Sequence, residues 1–86
     1  MNNIFLYKVT QEILYLSKQE SYNTYGLQVM QKTETSWKPT GFIHDITADF
    51  PLAQEIAELL TLYQLYPVHV QDVIQDILYK KCFLEV

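Results

Sequence analysis

The chain is 86 residues long, carries 49% hydrophobic residues and has a formal net charge of -4. A chain of this length builds one small core, burying about 60% of the surface its unfolded form exposes; with two glycines and three prolines it has little material for linkers, so residues 1–86 read as a single domain. Its basic residues, Lys8, Lys18, Lys32, Lys38, Lys80 and Lys81, leave the stretch between Pro39 and Tyr79 without a positive charge, while Asp45, Asp49, Glu55, Glu58, Asp72 and Asp76 fall inside it, a distribution that repels phosphate backbones and argues against nucleic acid as a partner.

From Asn3 to Lys18 two periods compete. Leu6, Val9, Ile13 and Leu16 hold helical spacing, yet residues 4–9 and 13–16 are rich in strand formers, and strand is the preferred assignment. Residues 19–23 are polar and turn-like. Tyr25, Leu27 and Val29 then alternate with Gly26, Gln28 and Met30, the period-two pattern of a strand with two distinct faces. Residues 32–36 suit a hairpin connection, after which residues 37–46 form another extended segment interrupted by Pro39 and Gly41. Proline lacks the amide a central strand needs, so this segment is expected at an edge or in a bulge.

Asp49-Phe50-Pro51 is a helix start: a carboxylate able to accept from unpaired amides, then a proline whose missing N–H costs nothing in the first turn. Leu52, Ile56, Leu59, Leu60 and Tyr63 form an apolar stripe, with Gln54, Glu55, Glu58 and Thr61 off it. Leu62 and Leu65 fall on the side of Glu55 and Glu58, so the last turns are apolar nearly all round and need a cover. Pro67 opens a second helix, with Val70, Val73, Ile74, Ile77 and Leu78 on one side and His69, Asp72, Gln75, Asp76 and Tyr79 on the other. The expected fold class is α+β, a small antiparallel sheet of about three strands followed by two C-terminal helices packed on one face.

Location follows from what the composition lacks. A single cysteine, Cys82, cannot form an internal disulfide, and residues 1–6 lack the basic start and long apolar run of a signal peptide, so a cytoplasmic setting is expected. The longest apolar runs span only three or four residues, against the roughly 20 that cross a bilayer, and no membrane association is expected.

For chemistry, a catalytic site needs a nucleophile with a base, or carboxylates driven apart in pKa. Neither is indicated, and CxxC, HExxH, EF-hand and glycine-rich phosphate motifs are absent, so neither an enzyme nor a cofactor is expected. Cys82, beside Phe83 and Leu84, reads as packing. His69, Asp72 and Asp76 share one helical face at i, i+3 and i+7, and with His44 and Asp45 they are the candidate cluster for a divalent cation; the simpler account is the polar face of any surface helix. A helix-turn-helix reader would present basic residues where this chain has Asp72 and Asp76. The seven tyrosines exceed what a small core buries, and some of them with Leu62, Leu65, Trp37 or Phe83 point to an apolar patch of the kind that meets a protein partner or a second copy. The candidate interaction residues are Leu62, Leu65, Tyr66, Tyr63 and Tyr79.

The segments Tyr25-Gly26-Leu27, Ile43-His44-Asp45-Ile46-Thr47-Ala48-Asp49 and the run from Leu65 to Leu78, above all Pro67, His69, Asp72 and Asp76, resemble a family of short uncharacterised proteins from Clostridium-type bacteria, catalogued as a domain of unknown function. Where those relatives place a small hydroxyl residue before the proline as a helix cap, this chain has Tyr66. The resemblance covers roughly residues 22–78 and implies a bacterial cytoplasmic setting and the same strands-then-helices order. It implies no activity.

Overall fold

The computed structural model describes residues 4–80; Lys81, named above among the basic residues, and Cys82, Phe83 and Leu84, read above as packing, lie outside the described residues. Three strands, β1 (Phe5–Tyr15), β2 (Ser21–Lys32) and β3 (Trp37–Thr47), pair antiparallel in the order β1-β2-β3. The helix α1 (Phe50–Leu62), a 3-10 turn (Pro67–His69) and the helix α2 (Val70–Tyr79) follow. The fold is α+β, as the order of periods along the chain implied.

Strand wins over helix in β1 because the odd positions have something to cover. Phe5 and Tyr7 are buried with Leu27 and Val29 of β2, and this face meets Ile56, Ala57 and Leu60 of α1 and Val70 and Ile74 of α2 in one core. The even positions of the strand turn to the other side of the sheet. Past Gln11 the hairpin runs beyond the helical layer, so that Ile13 stays 53% exposed and Tyr15 74%.

Asp49 caps α1, its side chain accepting the Leu52 amide at 3.4 Å, a contact worth about 1 kcal/mol. The buried stripe of α1 is Ala53, Ile56, Ala57 and Leu60, rotated from the expected one toward its alanines. Two small side chains let the helix sit close to the sheet, leaving Leu52 and Leu59 half-buried at the flanks. Tyr63, expected in the stripe, is the C-cap residue and points to solvent. Gln64 ends the helix in the left-handed region, φ 49°, a conformation that usually selects glycine. What holds a glutamine there is its side chain, described below.

Tyr7 ties the layers together. Its ring is buried in the core and its hydroxyl donates to the Leu65 carbonyl at 2.6 Å. Burial pushes its pKa up to about 12 from 10.0. Because the folded pKa is the higher one, the stability Tyr7 contributes is complete below pH 10 and is lost as pH rises toward 12. Tyr7→Phe is expected to lose about 1 kcal/mol at neutral pH, from the stranded carbonyl, and to flatten the fall in stability above pH 10. Urea titrations of both proteins between pH 7 and 12 check this; parallel curves for the two would rule it out.

Candidate interaction surface

A three-stranded open sheet has two edges, and this chain treats them differently. The β3 edge is broken twice. Tyr25 lies opposite Thr47 and Leu27 opposite Ile43, so β3 spends His44, Asp45 and Ile46 where β2 spends Gly26 alone. A second shift lies between Val29 and Met30, beside Pro39. Bulges and proline of this kind prevent another strand from pairing with an edge.

The larger bulge is held by polar groups. Asp45 sits in the left-handed region, φ 54°, with its carboxylate accepting from the Thr24 hydroxyl at 2.8 Å and the Tyr22 hydroxyl at 3.1 Å. Glu12 reaches from β1 across β2, accepting the Asp45 amide at 3.0 Å through one oxygen and meeting His44 Nδ1 through the other. Phe42 stacks on the His44 ring at 5.8 Å. Desolvation, then the hydrogen bond to Asp45 and its negative charge, raise the Tyr22 pKa. The bulge closes over Gly26 because a Cβ there would lie closer than 3.0 Å to the Ile43 carbonyl oxygen.

Among the described residues, the β1 edge is covered at one end only. Gln64 Oε1 accepts the amides of Ile4 and Phe5 at 2.7 and 2.8 Å, and its Nε2 donates to the Phe5 carbonyl at 2.8 Å. A side-chain amide thus takes the place of a neighbouring strand. Thr61 Oγ1 accepts the Tyr7 amide at 3.0 Å. Since alternate residues face the same way, the next outward-facing backbone groups belong to Val9, Gln11 and Ile13, and among the described residues no α1 side chain reaches them.

Beside this edge runs a groove of about 680 Å³, with Leu6, Tyr7, Lys8 and Val9 on the strand side and Phe50, Gln54, Ala57, Glu58, Thr61 and Leu62 on the α1 side. It is mainly apolar. Leu62, at 71% exposure, stands at its rim.

The five candidate interaction residues divide. Leu62, Tyr63, Tyr66 and Tyr79 are exposed, with the Tyr66 ring edge-on to Phe5 at 5.4 Å. Leu65 is instead half-buried against the core. Leu59, Leu60, Tyr63, Leu65, Val73 and Ile77 line a smaller apolar cleft of about 260 Å³. His69, Asp72 and Asp76 lie exposed on the outer side of the second helix and its entry turn, while His44 and Asp45 are committed to Glu12, Tyr22 and Thr24. Among the described residues no three of His, Cys, Asp and Glu are gathered to hold a metal ion.

Ile13, Thr61 and Gln64 were not candidates from the sequence, and Tyr15 entered only as one of the seven tyrosines. Their roles depend on strand order, for which a single sequence carries no direct signal. No helix among the described residues is long and apolar enough to cross a membrane.

A family model described as a family of unknown function (DUF6514) matches residues 1–80. No curated protein and no solved structure matches the chain.

Proposed function

We propose that this chain, which belongs to the family of unknown function DUF6514, works as a non-catalytic domain that binds protein through the open edge of β1 and the groove beside it. The observation that carries this is the unequal treatment of the two sheet edges: β3 is closed by two bulges and Pro39, whereas β1 from Val9 onward is unbulged and exposes Ile13 and Tyr15. An exposed edge of that kind pairs with whatever strand it meets, and an added strand with alternate side chains in a groove is a recurring mode of protein recognition. Protein is preferred to nucleic acid because the groove's one cation, Lys8, is offset by Glu58, and no basic residue lies between Pro39 and Tyr79 to neutralise phosphates. The single cysteine and the resemblance described above support a bacterial cytoplasmic setting.

A photocrosslinking residue placed at Val9 or Leu62, in cells that produce the protein, is expected to give discrete adducts, and the same residue at Trp37 on the β3 edge none. Adducts from Trp37 alone, or from none of the three positions, would end this proposal.

A further inference from the structure

We infer that the occupant of the β1 edge is a second copy of this chain, paired antiparallel about a two-fold axis at Gln11 and burying Ile13 and Tyr15 of each copy in the groove of the other. This rests on the interaction proposal above and names its partner.

Each chain carries both halves of the fit. The groove is a void beside Tyr7 and Val9, and the bare residues are Ile13 and Tyr15, on the same strand and the same face of the sheet. In a pair centred on Gln11, Val9 stands opposite Ile13 of the second copy; the Tyr7 amide is already bound by Thr61, so the strand pairing ends at Val9 and Tyr15 of the second copy continues along the groove beside Tyr7. The two bare side chains therefore enter at the strand positions that line the groove, against Leu62 on its rim. Two-fold symmetry repeats the contact in reverse, as an isologous dimer requires.

Groove fit and sterics select this register. Centred on Glu12, Ile13 of the second copy would stand opposite Gln11, past the groove residues Leu6 to Val9. Centred on Thr10, Tyr15 of the second copy would run into Phe5, where the Gln64 amide already lies. Centred on Ile13, Val9 loses its partner and Glu12 faces Leu14. With the axis at Gln11, Ile13 of the second copy instead stands beside Val9, the last strand residue of the groove. Thr61 and Gln64, by covering Phe5 and Tyr7, confine the pairing to the segment where it is self-complementary.

Sedimentation equilibrium tests this on the intact chain. The expected species is a dimer, weakened about 100-fold by Ile13→Lys, which buries an unpaired charge, and likewise by Leu62→Lys, while Trp37→Lys leaves it intact. Both positions are exposed in the single chain, so circular dichroism should show each variant folded; a variant that is not is set aside and the other decides. In a Cys82→Ser background, Gln11→Cys is expected to crosslink to itself on mild oxidation, because directly opposed residues of a hydrogen-bonded antiparallel pair lie about 5.5 Å apart at Cα, within disulfide range. A chain that stays monomeric at its highest soluble concentration overturns the inference, as does a dimer indifferent to both lysine substitutions or sensitive only to Trp37→Lys. Monomeric protein whose Val9 crosslinks to a different protein overturns this inference and leaves the interaction proposal standing.

Discussion

Gly26→Ala is expected to lower the melting temperature by about 15 °C, while Gly41→Ala leaves it level or raises it slightly. The added methyl at Gly26 meets the Ile43 carbonyl oxygen closer than 3.0 Å, with the Ile43 carbonyl carbon and His44 Cα also inside 3.4 Å. Every one of those atoms is backbone. None can rotate away, and moving the chain segment means undoing the bulge that Asp45, Thr24 and Glu12 hold. Overpacking of this sort costs about 3 kcal/mol, and in a domain of this size each kcal/mol shifts the melting temperature by about 4–8 °C. At Gly41 a Cβ would meet nothing within 4 Å and the backbone lies outside the positive-φ region, so alanine there mainly restricts the unfolded chain, a gain of about 0.5 kcal/mol. Thermal melts of the two variants side by side decide; equal effects would show that the bulge does not depend on the close approach at Gly26.

Gln64→Ala is expected to cost about 3 kcal/mol, and Gln64→Gly about 2. The side chain satisfies the amides of Ile4 and Phe5 and the carbonyl of Phe5, and each such bond contributes about 1 kcal/mol net, less where water takes over. Alanine keeps the φ of 49° and with it the strain of about 1 kcal/mol that glutamine already bears as a residue with a Cβ, which glycine relieves. The expected order of stability in urea is Gln, then Gly, then Ala. Two variants as stable as the parent would mean that the amide clamp contributes nothing, and equal losses would mean that the left-handed turn is unstrained.

Much of the fold could be read from local signals that act alone. Asp49-Phe50-Pro51 starts α1 through capping chemistry confined to one turn, and Tyr25, Leu27 and Val29 show their shared face without reference to any other element. Pro39 marked an edge or bulged strand for the reason found, its missing amide. Where the cause lies far away in sequence, the signal fades. The double-residue bulge at His44–Ile46 needs Gly26 and Glu12, one on each of two other strands. The stripe on α1 is turned toward Ala53 and Ala57 because the helix packs close to the sheet, and hydrophobicity alone favours the larger leucines.

The candidate surface was legible in part. Leu62 stood out because an apolar residue among Glu55 and Glu58 needs a cover, and the structure places it on a groove rim. Ile13 and Tyr15 carried no such mark, for in a strand their burial depends on how far the helical layer extends over the sheet. Gln64 was invisible as a functional residue, since a helix-end glutamine is ordinary until its partners, 59 and 60 residues away, are known.

That separation bears on the order in which the chain assembles. The two hairpins join residues near in sequence and close short loops, which form early at low entropic cost. The bonds from Gln64 to Phe5 close a separation of 59 residues and require β1 and α1 to be in place first. Throughout folding, then, the backbone of Phe5 and Tyr7 is bare on its outer side, and the opening end of β1 is a sticky template until the last helical turn arrives to shield it.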